Sequence, residues 1–301
     1  MAVYQLDKDL WFPDPHLGED DGLVAVGGDL SVDRLLLAYS NGFFPWFSFK
    51  NQQEPLWFCP LQRFVIFPSE IHVSHSMQQL INKGRYKLTM NEDFDGVIRG
   101  CATAQNRHQE EGAWLGPDII KAYTELFRQG FAASFEVWDD DRLVGGLYGV
   151  NLGNAFFGES MFSLVPSASK LALIHLARIM ELLGGQIIDC QLETPHLRSM
   201  GGRFIPYEES SKSSGNKPAY LSIHPAFSQL QQFFYFRFTK ECVINSGAHH
   251  QFGLLYSEDA CIVEPGYPSS GVPALCSPAS QPFPSSQVPL SSRAQEKTDL
   301  E

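Results

Sequence analysis

The sequence lacks the features that mark secreted, membrane-spanning and disulfide-stabilised proteins. Its 6 cysteines in 301 residues are scattered and include no Cys-x-x-Cys pair. No run of about 18 apolar residues occurs, so we expect no membrane span. The N-terminus has neither the basic region nor the apolar run of a signal peptide. These absences predict a cytoplasmic protein with reduced thiols.

Positive charge is also scarce, because Lys and Arg number 22 against 34 Asp and Glu, which gives a net charge of −12. Proteins that bind nucleic acid extensively neutralise its phosphates with clustered Lys and Arg. The composition therefore argues against extensive nucleic-acid binding and restricts any RNA contact to a local site.

Two ligand signatures are incomplete. His72 and His75 have the spacing of metal ligands on one helical turn, but no suitably spaced third ligand accompanies them, so we expect no metal site. Residues 163–170, at the start of a predicted helix, contain no glycine, and Pro166 lacks a backbone N–H. Such a segment is poorly suited to hold the pyrophosphate of coenzyme A.

The N-terminal part of the chain combines one short helix with an aromatic cluster. Asp29 or Ser31 can cap a helix over 32–41, which ends at Gly42. Aromatic side chains then crowd around a proline in GFFPWFS (42–48). This cluster predicts either a packed corner between two domains or a stacking platform for a flat ring.

The chain from about residue 90 onward predicts an α+β domain. Its predicted elements include helices over 117–130 and 170–183, a hairpin over 143–162, a strand over 186–192 and a last helix over 225–238. Residues 245–301 are rich in Pro and Ser with few apolar anchors, which predicts a disordered tail.

The hairpin carries a carboxylate in an apolar strand. Gly158 in its second strand predicts a β-bulge or a close backbone approach. Glu159 follows among phenylalanines and a methionine, where an unpaired carboxylate is costly to bury. Two alternatives follow: a ligand site around Glu159, or an ordinary hairpin with Glu159 at a solvated edge.

The strand QIIDCQL (186–192) carries a second polar pair. Strand alternation predicts Asp189 and Gln191 on one face, where they can act together, and Cys190 on the other, in the core. A hairpin, a helix and then a crossing strand is the layout of acetyltransferase-like (GNAT-type) folds.

Several ordered phrases over roughly residues 4–207 resemble the leucyl/phenylalanyl-tRNA–protein transferase family. They are GLVAVGGDLS (22–31), GFFPWFS (42–48), EEGAWL (110–115), GGLYGV (145–150), FFGESMFS (156–163), ASKLAL (168–173) and IDCQ (188–191). The resemblance implies an enzyme that moves Leu or Phe from Leu-tRNA or Phe-tRNA to proteins with N-terminal Arg or Lys, marking them for degradation. It implies no ATP and no cofactor, because the aminoacyl ester supplies the driving free energy. It also implies a small N-terminal domain (1–60) before a GNAT-like catalytic domain (61–244).

The resemblance also assigns roles to single residues. Trp46 and Trp114 would sandwich the terminal adenine of the tRNA, where stacking contributes about 1–3 kcal/mol per base. The other implied substrate-binding residues are Tyr123 near the site, Leu147, Phe156, Met161 and Phe162 around the Leu or Phe side chain, and Leu176 near the adenosine. Leu147 stands where the family pattern has a methionine, and Leu176 where it has an aromatic residue.

The implied catalytic residues are Glu159, Asp189 and Gln191. Glu159 would orient the aminoacyl end, while Gln191 positions the attacking amine. Asp189 would hold Gln191 and accept or relay the proton. A proton route through the adenosine 2′-OH is an alternative. With Cys190 in the core, no covalent enzyme intermediate is expected.

Two other functions compete with this one. The first is an acyl-CoA-dependent N-acetyltransferase, opposed by the missing phosphate loop. The second is a non-catalytic RNA 3′-end-binding module, opposed by the Asp189 and Gln191 pair. Local basic candidates for contact with the tRNA acceptor stem are Lys83, Arg85, Lys87 and Arg63.

Overall fold

Two β-sheets form the framework of the protein. A computed structural model describes residues 3–46, 54–106 and 115–212. The expected last helix over 225–238, the expected tail over 245–301 and Trp114 lie outside these residues. In the described part of the chain, no helix is both long and apolar enough to cross a membrane.

The first sheet has four strands and lies in the N-terminal part of the chain. Its elements are β1 (Tyr4–Leu6), β2 (Leu23–Gly27), α1 (Val32–Ser40), β3 (Phe44–Trp46) and β4 (Leu56–Phe58). The strand order is β1-β2-β4-β3, with β1 and β2 parallel and the other pairs antiparallel. The predicted first helix is confirmed, since the Ser31 side chain accepts a hydrogen bond from the Arg34 N–H. Gly42, at φ +76°, follows its C-terminus.

The second sheet has seven strands and begins at Gln62. Its elements are β5 (Gln62–Ile66), α2 (His75–Asn82), β6 (Lys87–Met90), α3 (Phe94–Asn106), α4 (Pro117–Arg128), β7 (Ala132–Asp139), β8 (Arg142–Leu152), β9 (Ala155–Ser163), α5 (Ala168–Leu182), β10 (Ile187–Gln191), α6 (Pro195–Ser199), β11 (Arg203–Pro206) and α7 (Tyr207–Lys212). The order is β11-β5-β10-β9-β8-β7-β6. Only β9 and β10 pair in parallel among these strands.

The hairpin predicted over 143–162 is confirmed as β8 and β9, which turn at Gly153 and Asn154. The helix predicted over 117–130 corresponds to α4, with Pro117 in its first turn. The helix predicted over 170–183 begins at Ala168, because the Ser163 hydroxyl accepts a hydrogen bond from the Ser169 N–H. Together the elements make the expected mixture of helices and mainly antiparallel strands.

Helices cover both faces of the seven-stranded sheet, and the sheet separates the core into two parts. On one face, α3 and α4 pack with α1 and with strand residues such as Tyr148 and Phe157. On the other, α5 and α2 pack with alternate residues such as Leu147 and Phe156. Strand alternation therefore decides which core each side chain joins.

Candidate active site

The site lies where β9 and β10 separate. The two strands pair through Ile187 with Ala155, Ile188 with Phe156 and Asp189 with Phe157, and the pairing ends there. Each strand also carries an irregularity just beyond this point, so the sheet opens into a cavity. At each irregularity the side chains no longer point to alternate faces of the sheet.

The irregularity on β9 is a bulge at Glu159. Tyr148 pairs with Ser160 and Gly149 with Gly158, so Glu159 has no opposite residue on β8. Gly149 is required at this point, because a Cβ atom there would lie 2.1 Å from the Phe157 carbonyl oxygen. The bulge that the sequence predicted near Gly158 is confirmed, and it directs the Glu159 side chain into the cavity.

The irregularity on β10 lies at Cys190. On β5, Val65 pairs with Asp189 and Phe64 with Gln191, which leaves Cys190 without an opposite residue. Gln191 has φ +64°, a conformation that non-glycine residues rarely adopt. The prediction that Asp189 and Gln191 share one face is therefore wrong. Cys190 and Gln191 both line the cavity, whereas Asp189 does not.

The cavity has a volume of about 490 Å³ and is lined mainly by apolar side chains. We call five residues of the α5 core the apolar wall: Leu147, Phe156, Leu173, Leu176 and Ile188. Further described lining residues are Phe44, Pro45, Trp46, Tyr148, Gly158, Ser160, Met161, Ser169, Leu192, Thr194, His196 and Leu197. A ligand with one bulky apolar group suits such a surface.

The polar end of the cavity, as we define it, consists of Glu159, Gln191, Tyr39 and Tyr123. The Tyr39 hydroxyl donates to Glu159 Oε1 at 2.7 Å and the Tyr123 hydroxyl donates to Oε2 at 2.9 Å. The Gln191 amide donates to Oε1 at 2.9 Å. The two tyrosine hydroxyls also contact each other. The carboxylate is thus held by residues from α1, α4 and β10.

Burial raises the pKa of the Glu159 carboxyl from 4.5 to about 7, and the three donors only partly oppose this effect. Both tyrosines are fully buried, and burial followed by the nearby carboxylate raises the pKa of each phenol well above 10. At neutral pH the phenols therefore remain donors, while Glu159 can exchange a proton.

Asp189 lies behind the cavity, fully buried, and its two oxygens are occupied. Arg63 on β5 donates to Oδ2 from Nε at 3.1 Å and from Nη2 at 2.7 Å. The backbone N–H of Gln191 donates to Oδ1 at 2.8 Å. Asp189 therefore holds Gln191 through the backbone of that residue.

The structure brings most of the expected site residues together. Seven line the cavity: Trp46, Leu147, Phe156, Glu159, Met161, Leu176 and Gln191. Tyr123 lies behind Glu159 and contacts it. Phe162 does not line the cavity, because it follows Met161 on β9 and packs on the opposite face against α3 at Gly100.

Cys190 is partly buried and packs against the α5 core, so the core position expected for it is confirmed in part. It lines the cavity, but burial raises the pKa of its thiol, so the reactive thiolate is disfavoured at neutral pH.

The sequence did not single out Tyr39. The alternation of apolar residues in α1 put it in the core, where it lies, but its hydroxyl belongs to the polar end. A buried tyrosine hydroxyl needs a hydrogen-bond partner, and that requirement was the available signal.

The sequence did not single out His196 either. Its Nε2 is buried at the cavity and has no hydrogen-bond partner among the described residues.

Arg63, one of the basic residues expected to contact the tRNA acceptor stem, is not on the surface. Arg63 is fully buried in its pair with Asp189 and is not available to a phosphate backbone. Arg85 and Lys87 lie at the far edge of the sheet, and they pair with Asp139 and Glu92. Strands β7 and β8 separate that edge from β9.

The cavity joins an apolar wall to a hydrogen-bonded carboxylate and amide, which is an arrangement typical of an enzyme active site. Two parts of the chain match descriptions of one family. Residues 65–213 match "Leucyl/phenylalanyl-tRNA protein transferase" and residues 28–61 match its N-terminal domain. The chain belongs to the leucyl/phenylalanyl-tRNA–protein transferase family.

Named relatives agree with this assignment. The leucyl/phenylalanyl-tRNA–protein transferase of Anaeromyxobacter sp. (strain Fw109-5) is 48% identical over 210 residues, which cover 69% of this chain and 88% of the relative. That of Syntrophus aciditrophicus (strain SB) is 49% identical over 209 residues, covering 69% and 86%. Among solved structures, the match to a conserved protein of unknown function from Bacteroides thetaiotaomicron covers 58% of this chain and 62% of that protein. Its TM-score is 0.35 and its sequence identity is 13%, so the match supports no inference.

Proposed function

We propose that this aminoacyltransferase moves Leu or Phe from Leu-tRNA or Phe-tRNA to the N-terminal amino group of proteins that begin with Arg or Lys, marking them for degradation. One observation carries the proposal. A single cavity joins an apolar wall, suited to a Leu or Phe side chain, to a polar end with a carboxylate and an amide. The matching of residues 28–61 and 65–213 to one transferase family supports it.

The aminoacyl end of the tRNA would lie with its side chain against the apolar wall. Trp46 lines the cavity on the N-terminal side and offers a ring on which the terminal adenine can stack. Trp114 would supply the second stacking surface. Base stacking requires no positive charge, which is consistent with the acidic composition of the chain.

The acceptor amine would be positioned by Gln191 and would pass its proton to Glu159. An α-amino group has a pKa of about 7.7–8.0, close to the pKa of about 7 to which burial raises Glu159. The amine nitrogen forms the amide bond while the ester C–O bond to the ribose breaks. One proton leaves the amine for Glu159, and one returns from Glu159 to the ribose oxygen.

In this scheme Asp189 keeps the implied role of holding Gln191 but not the implied role of accepting or relaying the proton. It does not line the cavity, and both of its oxygens already accept hydrogen bonds. We therefore assign Asp189 the positioning of Gln191 and assign proton acceptance to Glu159.

We further infer that residues 61–244 are a GNAT-like catalytic domain, that residues 1–60 are a small N-terminal domain, and that the protein acts in the cytoplasm. The separation of the parallel pair β9 and β10, with α5 between them in sequence, supports the GNAT-like fold. The change of sheet between β4 and β5 supports the domain boundary near residue 60.

One assay tests the function against both alternatives. The full chain is incubated with tRNA carrying labelled Phe and a protein with N-terminal Arg, without ATP or coenzyme A. We expect labelled protein, and none when the acceptor begins with an acetylated residue. Tight RNA binding without product would favour a binding module, and product only with acetyl-CoA would favour an acetyltransferase.

A further inference from the structure

Arg63 joins the polar end of the cavity to the N-terminal sheet. It is fully buried on β5, and two of its donors, Nε and Nη2, bind Asp189. Its Nη1 donates to the Gly42 carbonyl oxygen at 3.0 Å. Its guanidinium carbon also lies 5.3 Å from the ring centre of Phe44, which lines the cavity. One side chain thus contacts two elements that border the cavity.

These contacts close a ring of hydrogen bonds around the site. Glu159 accepts from Gln191, whose backbone N–H donates to Asp189, and Asp189 accepts from Arg63. Arg63 donates to Gly42, whose N–H donates to the Tyr39 carbonyl oxygen at 3.1 Å. The Tyr39 hydroxyl then donates to Glu159. The ring therefore starts and ends at the carboxylate.

A guanidinium is suited to this position for a geometric reason. Its planar fork directs donors toward a carboxylate on one side and a carbonyl on another, whereas an ammonium is a compact point charge. Gln191 also needs such support, since a positive φ is a strained conformation for a non-glycine residue and persists only when the surroundings hold it.

We propose that Arg63 is a positioning residue for the transfer step, which sets the Gln191 amide against Glu159 by holding Asp189 to the end of α1 at Gly42. Arg63 does not line the cavity, so it acts through Asp189 and Gln191. This role rests on the proposed function of the site. Loss of the guanidinium would leave binding of the aminoacyl end largely intact and misplace the groups that meet the amine.

The test compares Arg63→Lys with Arg34→Lys. Arg34 is the matched control, because it is also fully buried and donates to backbone carbonyls, at Asp7 and Asp9, but it does not line the cavity or join the ring. For Arg63→Lys we expect kcat to fall about 100-fold, since a displacement near 1 Å has that effect. The Kd for a non-hydrolysable phenylalanyl-adenosine amide should stay within about threefold of wild type. Arg34→Lys should keep the wild-type kcat.

Two further measurements separate positioning from loss of folding. If Arg63→Lys does not fold, the double variant Arg63→Gln with Asp189→Asn removes both charges together, so no uncompensated charge is buried. The same fall in kcat with unchanged Kd is expected of it. In Arg63→Gln alone the acid limb of the pH–rate profile should move to higher pH, because the Asp189 charge then acts on Glu159 without its counter-ion.

Either of two results would overturn the role. One is a kcat for the folded Arg63 variants within about twofold of wild type. The other is an equal loss of kcat in Arg34→Lys. Absence of transfer by the wild-type chain would instead overturn the proposed function, and this role with it.

Discussion

The apolar wall and the polar end of the cavity are built in different ways. The apolar wall takes its residues from β8, β9, α5 and β10, each facing the α5 core as the regular alternation of its element requires. The polar end takes its residues from α1, α4, β9 and β10, and its carboxylate and amide stand at two strand irregularities. The wall depends on periodicity, whereas the polar end depends on departures from it.

This difference predicts different consequences of substitution. Apolar contacts are numerous and individually weak, so a change in the wall should alter which amino acid is bound and how tightly. The polar end consists of a few directional bonds around one carboxylate, so a change there should alter the rate of transfer.

The largest effect is expected at Glu159. Replacement by Gln keeps the shape but removes the proton acceptor, so kcat should fall about 1000-fold with little change in Kd for the phenylalanyl-adenosine amide. Glu136→Gln is the matched control. Glu136 is fully buried and burial likewise raises its pKa, but its carboxylate accepts hydrogen bonds from Ser134 and Thr89 and does not line the cavity. A wild-type kcat in Glu159→Gln would exclude Glu159 as the acceptor.

A smaller effect, on binding rather than rate, is expected at Trp46. Trp46→Ala should weaken binding of the phenylalanyl-adenosine amide by about 1–3 kcal/mol, through loss of the stacking surface, and leave kcat nearly unchanged. The comparison is Trp11→Ala, since Trp11 is exposed and does not line the cavity. Equal losses in both variants, measured by isothermal titration, would rule out adenine stacking on Trp46.

The polar end should also affect stability as a function of pH. Burial raises the pKa of Glu159 from 4.5 to about 7, so the folded state favours its protonated form. The stability that this preference contributes is present below pH 4.5 and is lost as the pH rises through about 7. Between pH 5 and pH 8, wild type should lose about 2 kcal/mol of unfolding free energy relative to Glu159→Gln, as measured by denaturant titration. Parallel pH curves would contradict the buried-carboxyl assignment.

The smallest effect is expected in the apolar wall. The resemblance implies a place near the adenosine for Leu176, whereas we assign it to the apolar wall beside Leu173. Leu176→Phe adds volume to this side of the cavity, so it should lower the use of Phe-tRNA relative to Leu-tRNA by about tenfold. Leu171→Phe on the same helix provides the control, because Leu171 is buried in the core without lining the cavity. It should reduce stability by overpacking and leave the ratio unchanged. An unchanged ratio in Leu176→Phe would mean that Leu176 does not bound the amino-acid pocket.

Much of the fold followed from local signals in the sequence. The Ser31 cap and Gly42 bounded α1, Pro117 began α4, and the Gly153–Asn154 turn fixed the hairpin. Regular alternation correctly placed Cys190 against the α5 core but failed for Asp189 and Gln191, which do not share a face. The failure for Asp189 and Gln191 has a physical cause in the bulge at Cys190 on β10, which lies between them. Leu147, Phe156 and Phe162 were assigned from the resemblance, and of these Leu147 and Phe156 line the cavity. Phe162 is consistent with plain alternation after Met161, so its assignment as a pocket wall came from the resemblance alone.

The sequence by itself determined the family, the acidic character, the hairpin with its bulge, and the apolar residues that could surround a Leu or Phe side chain. It could not determine which donors meet Glu159. Tyr39, Tyr123 and Gln191 are far apart in the chain, and their bonds exist only because the N-terminal helix, α4 and β10 pack around one point. Tertiary structure alone likewise decided that Arg63 is a buried partner of Asp189, because the charge of a residue in a sequence does not reveal whether it faces water or another charge.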